Sequence, residues 1–183
     1  MLRYSFIYGA IIGAAIIAFM SVVLISMGTE SLFSSELAGY AIMLVVLSLV
    51  FIGIKRYRDV EHGGVIKFTQ AAGVGIGISA VAALMYTIGW EISLALTDYA
   101  FIEAYPQTLI DAVRAEGLAA NEEAARIAEI ESSIELYRNP LFRMPITFIE
   151  MFPVGLIVAL VSALVLRNAK VLPAKANGAS QGS

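Results

Sequence analysis

Lys55-Arg56-Tyr57-Arg58-Asp59-Val60-Glu61-His62-Gly63-Gly64-Val65-Ile66-Lys67-Phe68 separates two long apolar runs and carries four of the chain's 12 Lys and Arg residues. Cationic charge at that density beside apolar runs of spanning length is retained on the cytoplasmic side of a membrane. The stretch reads as a charged hinge between two spans, and the rest of the chain is threaded from it. Within it, Gly63-Gly64 supplies a turn that residues bearing a Cβ resist.

The composition agrees. Of 183 residues 59% are hydrophobic and 15% charged, with a mean hydropathy of +0.81, whereas soluble domains are roughly 25% charged. A hydrocarbon core of about 30 Å takes about 20 apolar helical residues per crossing. The length therefore allows a few spans and one modest extramembrane segment, in a single domain over 1–170. Cysteine is absent, which excludes disulfides, thiolate metal sites and cysteine nucleophiles.

Upstream of the hinge, the run over 37–54 reads as a span. The connection before it, Gly28 to Glu36, bears Glu30 and Glu36 and no cation, so it is placed outside. The first run, over 4–27, follows Arg3. It is far longer than a signal peptide's apolar region of about 7–15 residues and lacks an A-x-A site, so it is read as a retained span. Gly9 and Gly13, continued by Ala14 and Ala18, cut a small-residue groove into it. Close packing within one chain is the reading taken, with a homodimer seam as the alternative.

Downstream, a third span over 68–96 would be roughly 43 Å long at 1.5 Å per residue, more than the hydrocarbon thickness, and should tilt or protrude. Gly73 and Gly77 place small residues on its packing surfaces. Gly75-Ile76-Gly77-Ile78-Ser79-Ala80 matches a dinucleotide-binding fingerprint in form only, since that motif works between a strand and a helix. The polar stretch over 98–139 reads as an amphipathic helical hairpin. Pro106 is placed in a first helical turn, Gly117 at the break, and Asn121 as an N-cap followed by Glu122 and Glu123. Ile127, Ile130, Ile134 and Tyr137 form one apolar stripe, and Leu109, Ile110 and Val113 another. Nine acids stand here against Arg114, Arg126 and Arg138, an acidic exterior module. A last span over 146–166 contains Pro153 and is followed by Arg167, Lys170 and Lys175. The tail over 171–183, Gly/Ser/Asn/Gln-rich from Ala176, is expected to be disordered.

Eight Lys and Arg then fall inside and four outside, with both termini cytoplasmic. Tyr4, Tyr8 and Tyr57 form an inner aromatic belt, and Tyr40, Trp90, Tyr99 and Phe142 an outer one. The expected fold is all-α: a four-helix transmembrane bundle with an extramembrane helical hairpin between its third and fourth spans.

Tyr57-Arg58-Asp59, then Gly63-Gly64, Ile66, Phe68, an Ala at 71 or 72, and Gly73, resembles a family of uncharacterised bacterial membrane proteins, domain of unknown function 4199. The resemblance extends over roughly residues 1–170. It implies this same layout in a bacterial inner membrane, and no activity, substrate or catalytic residue.

Four residues stand out as functional candidates. Arg58 and Asp59 order the loop, or with His62 bind a headgroup or a partner, if the loop is more than topogenic. Glu91 and Glu150 are the acids within the apolar runs. Each reaches water at the outer interface, beside Trp90 and Arg143, or else the two converge and share a proton or a cation. His62 is the only histidine and there is no Ser/His/Asp set, H-E-x-x-H or phosphate loop, so no catalytic residue, metal or cofactor is expected. The expected partners are the lipid bilayer and a second copy or another membrane protein, with no nucleic acid. The leading expectation is a non-enzymatic membrane component or assembly subunit, and the alternative a small oligomeric transporter or ion-coupled carrier using intramembrane carboxylates.

Overall fold

A computed structural model describes residues 1–32, 44 and 47–174, with backbone alone over 20–32. Six helices and no strand are found among the described residues: α1 (Leu2–Leu32), α2 (Leu49–Glu61), α3 (Phe68–Leu96), α4 (Ala100–Ala115), α5 (Ala120–Arg138) and α6 (Pro140–Leu166). Three are long and apolar enough to cross a membrane: α1 through Leu2–Phe19, α3 and α6. Half of the second expected span, at 37–43, 45 and 46, lies outside the described residues.

α3 is the axis of the bundle, packed against α1, α2 and α6. Half of its span is buried, against 28% for α1 and 33% for α6. Its buried face is built from Ala71, Ala72, Gly75, Ser79, Ala82 and Ala83, residues small enough for three helices to approach at once. The four groove glycines meet in one seam between α1 and α3. A Cβ on Gly9 would lie 2.5 Å from Val81 Cβ and 2.9 Å from the Ile78 carbonyl, and Gly13 faces Met85. In return, Gly73 faces Met1 and Gly77 faces Ser5. Gly75, the first glycine of the nucleotide-like motif, is closed by Ile54 and by Ala159 of α6. Outward, Phe6, Ile52, Leu84, Ile92, Ile149, Ile157 and Val161 are exposed, an apolar surface suited to lipid.

Several boundaries differ from those read in the sequence. The hinge is helical up to Glu61, so its turn is only the stretch from His62 to Lys67, where Gly63 and Gly64 have φ of 58° and 92°. Hydropathy ends with the apolar residues, but backbone hydrogen bonding does not, and Lys55 pairs with Asp59 one turn on. Pro106 lies inside α4, which begins earlier, at Ala100. Asn121 lies inside α5, whose N-cap is Ala119. α6 begins at Pro140 rather than Ile146, because Asn139 caps it by accepting from the Leu141 N–H at 3.0 Å and Pro140 suits the first helical position. α1 continues past residue 27 to Leu32.

Candidate functional site

Two buried arginines, one at each end of the bundle, organise its polar chemistry. At the hinge end Arg58 is fully buried. Its Nε donates to Asp59 Oδ1 at 2.8 Å and its Nη1 to the carbonyls of Val171 at 2.9 Å and Leu166 at 3.4 Å, while Nη2 donates to the Leu172 carbonyl. The final carbonyls of a helix have no partners within it and carry its negative dipole end, which a guanidinium satisfies on both counts. Arg58 thus fastens α2 to the end of α6 and the turn after it. Val171 and Leu172, placed in the tail by the sequence reading, are part of that turn, and residues 175–183 lie outside the described ones. With its fork occupied by carbonyls, Arg58 offers no face to a headgroup. Burial works against the Asp59 carboxylate, but hydrogen bonds and charge from Lys55 and Arg58 outweigh it and hold its pKa below the ordinary value.

Beside this clamp, Tyr4 OH donates to Glu61 Oε1 at 3.0 Å. The Tyr4 ring stacks on Tyr8 and meets Tyr57 edge-on at 5.2 Å, and Tyr57 meets His62 edge-on at 5.0 Å. Buried His62 Nε2 has no hydrogen-bond partner among the described residues.

At the hairpin end Arg143, in the first turn of α6, is also buried. Its Nε and Nη2 hold the two oxygens of Glu91 at 2.7 and 2.6 Å, a bidentate pair between α6 and α3. Its Nη1 donates to the carbonyls of Tyr137 at 3.1 Å and Arg138 at 3.3 Å, the last residues of α5. The rings of Tyr99 and Tyr137 lie 5.6 and 5.8 Å from the guanidinium carbon, within cation–π range. Trp90 Nε1 donates to Tyr137 OH at 2.9 Å. Trp90, Leu94 and Ile102 form a second small core with Phe101, Ile134 and Tyr137, joining α3 to the hairpin. Tyr99 reaches Arg143 from a turn in which both Asp98 and Tyr99 are left-handed, at φ of 48° and 58°. Such a conformation costs about 1–2 kcal/mol for a residue with a Cβ. Arg143, Tyr137 and Tyr99 are the residues that sequence reasoning missed as a unit. The available signal was Arg143, a cation in an otherwise apolar stretch, on the side of the bilayer that also holds Glu91.

Glu91 and Glu150 are not brought together. Glu91 belongs to Arg143, while Glu150 is exposed on α6 and makes no hydrogen bond or ion pair among the described residues. It lies ten residues into α6, about 15 Å from the Pro140 end at 1.5 Å per residue. Several other polar side chains of the spans serve the backbone. Ser79 donates to the Gly75 or Gly155 carbonyl (3.0 and 2.9 Å), Thr87 to Ala83 at 2.9 Å and Thr147 to Arg143 at 3.0 Å. No group of His, Asp and Glu suited to a metal ion occurs among the described residues.

Three helices long and apolar enough to cross a membrane, with apolar outer faces and a small-residue core, suit a helical membrane protein. The chain belongs to the family described as protein of unknown function (DUF4199), whose model matches residues 7–168. No curated protein and no solved structure matches it.

Proposed function

We propose that this protein is a non-enzymatic component of the bacterial inner membrane that binds a second membrane protein. Both termini and the hinge are cytoplasmic in this reading, and the acidic hairpin lies outside. The observation that carries it is Glu150. A carboxylate well inside a span is costly when it faces lipid, and such acids pair with a donor or line a path. Glu150 makes no hydrogen bond or ion pair with its own chain among the described residues, and Ile146, Ile149 and Ile157 on the same helix are exposed with it. A partner helix carrying a hydroxyl, amide or cation at that depth would satisfy it. The hairpin supports the same reading. α5 has no fully buried residue, so its stripe of Ile127, Ile130, Ile134 and Tyr137 is only half covered, and Glu122, Glu129, Glu131 and Glu135 remain exposed.

The alternative is a small oligomeric carrier in which Glu150 is the coupling group. Glu91 is a poor candidate for that role while Arg143 neutralises it. Photo-crosslinking from position 149 in cells, compared with ion and solute flux in liposomes holding the purified protein, separates the two. The partner reading expects a discrete crosslinked protein that is lost in Glu150→Leu, together with silent liposomes. Flux that is abolished by Glu150→Gln would overturn it. For the threading, a periplasm-active reporter should work at Gly117 and fail at Ala176; the reverse pattern would refute this orientation.

A further inference from the structure

Under the hairpin lies a pocket of about 290 Å³ that the Arg143 clamp borders but does not fill. It is lined by Tyr99, Ile102, Glu103, Arg138, Pro140 and Arg143. Ligand pockets for drug-sized molecules run from about 300 to 1,000 Å³, so this one suits something small. Arg143 is spent on Glu91 and on the α5 carbonyls. Glu103, in the first turn of α4, and Arg138, at the end of α5, are different. Both are exposed, both line the pocket, and neither side chain takes part in a hydrogen bond or ion pair among the described residues. Opposite charges that share a small pocket without meeting are complementary to a ligand carrying both charges a few bonds apart. Ile102, Pro140 and the Tyr99 ring supply the apolar wall between them. Leu141 and Phe142, which separate two of the lining residues in sequence, are exposed, as expected of side chains at the level of acyl chains beneath headgroups.

We propose that this pocket binds a zwitterion with a phosphate or carboxylate at one end and a primary ammonium at the other, as in phosphoethanolamine. Arg138 takes the anion as a fork, Glu103 takes the ammonium, and the Tyr99 ring lies against the linker between them. The ligand arrives either as the headgroup of a phospholipid or as a free solute, since the same chemistry serves both.

Trp90 is the chain's only tryptophan, and it packs edge-on against Phe101 at 5.2 Å, one residue from lining residue Ile102. Its fluorescence in detergent therefore reports on the pocket. Titrations use dihexanoyl phosphatidylethanolamine, dihexanoyl phosphatidylglycerol and free phosphoethanolamine. A saturable change is expected with the ethanolamine lipid or with phosphoethanolamine, and binding weakened about tenfold or more in Arg138→Gln and in Glu103→Gln, the scale of one lost charge-assisted hydrogen bond. Similar saturation by lipid and free headgroup identifies a solute site; saturation by the lipid alone identifies a headgroup site. Lipid competition on the unaltered protein by native mass spectrometry provides a test without variants, and expects ethanolamine lipid retained over phosphatidylglycerol. Equal retention of the two lipids, no saturation with any ligand, or variants that titrate like the parent would each overturn the proposal.

Discussion

The two ends of the bundle solve one problem with different parts. At each, a buried arginine binds a carboxylate and carbonyls at or just past the end of a helix. At the hinge end the carboxylate is Asp59, the residue next to Arg58, and the long reach is made by the guanidinium to the carbonyls of Leu166, at the end of α6, and of Val171 and Leu172 in the turn after it. At the hairpin end the reach is made by the ion pair itself, from α6 to Glu91 on α3, while the carbonyls belong to the adjacent α5. The first end is thus a backbone latch with a local counterion. The second is an ion pair between helices that also carries the hairpin. Losing the carboxylate should matter little at the first and greatly at the second.

The largest expected effect follows directly. Glu91→Ala strands the buried Arg143 charge and should cost about 3–5 kcal/mol of stability in detergent unfolding, as breaking a buried pair does. Asp59→Ala should cost clearly less, because Arg58 keeps its carbonyls. Similar losses for the two would erase the distinction between the ends. Next comes Arg58→Lys, which keeps the charge and loses the fork. An ammonium cannot hold carbonyls and Asp59 in the same plane, so a loss of about 1–3 kcal/mol is expected, and unchanged melting would return Arg58 to a purely topogenic role. Gly9→Leu probes the seam that both clamps leave alone. The Ile78 carbonyl cannot move aside as a side chain can, so a loss of about 1–3 kcal/mol is expected from overpacking. An unaltered melt with lost self-association would instead place Gly9 at a homodimer interface.

The smallest effect is in pH. The Asp59 pKa is lowered in the folded protein, so its stabilising contribution is present above the unfolded-state pKa and disappears as pH falls through the folded one. Stability should therefore decline on the acid side of the ordinary carboxylate range, and Asp59→Asn should make that decline shallower. An unchanged acid limb in Asp59→Asn would show that the clamp contributes no linkage.

This contrast also explains what could be read in advance. α3 begins and ends where its hydropathy does, at Phe68 and Leu96, because both flanks are polar. α2 and α6 run past their apolar segments, since helices end at caps and turns: Gly63-Gly64 stops the first and Asn139 starts the second. The hinge advertised Arg58 and Asp59 because charge is concentrated there in sequence. The pairing of Glu91 with Arg143 joins residues 52 apart, and only a common depth in the bilayer links them. Nor could periodicity show that Asn121 would lie inside α5 with Ala119 as its N-cap, since a preferred cap residue does not by itself fix a helix start.

The pair that ties hairpin to bundle can be measured directly by a double-mutant cycle on Glu91→Gln and Arg143→Gln, read by equilibrium unfolding in detergent. A direct, desolvated pair predicts a coupling of about 1–3 kcal/mol, with the double variant more stable than the two single losses imply. Losses that add within about 0.5 kcal/mol would mean that Glu91 and Arg143 act independently and that the hairpin is not held to α3 through them.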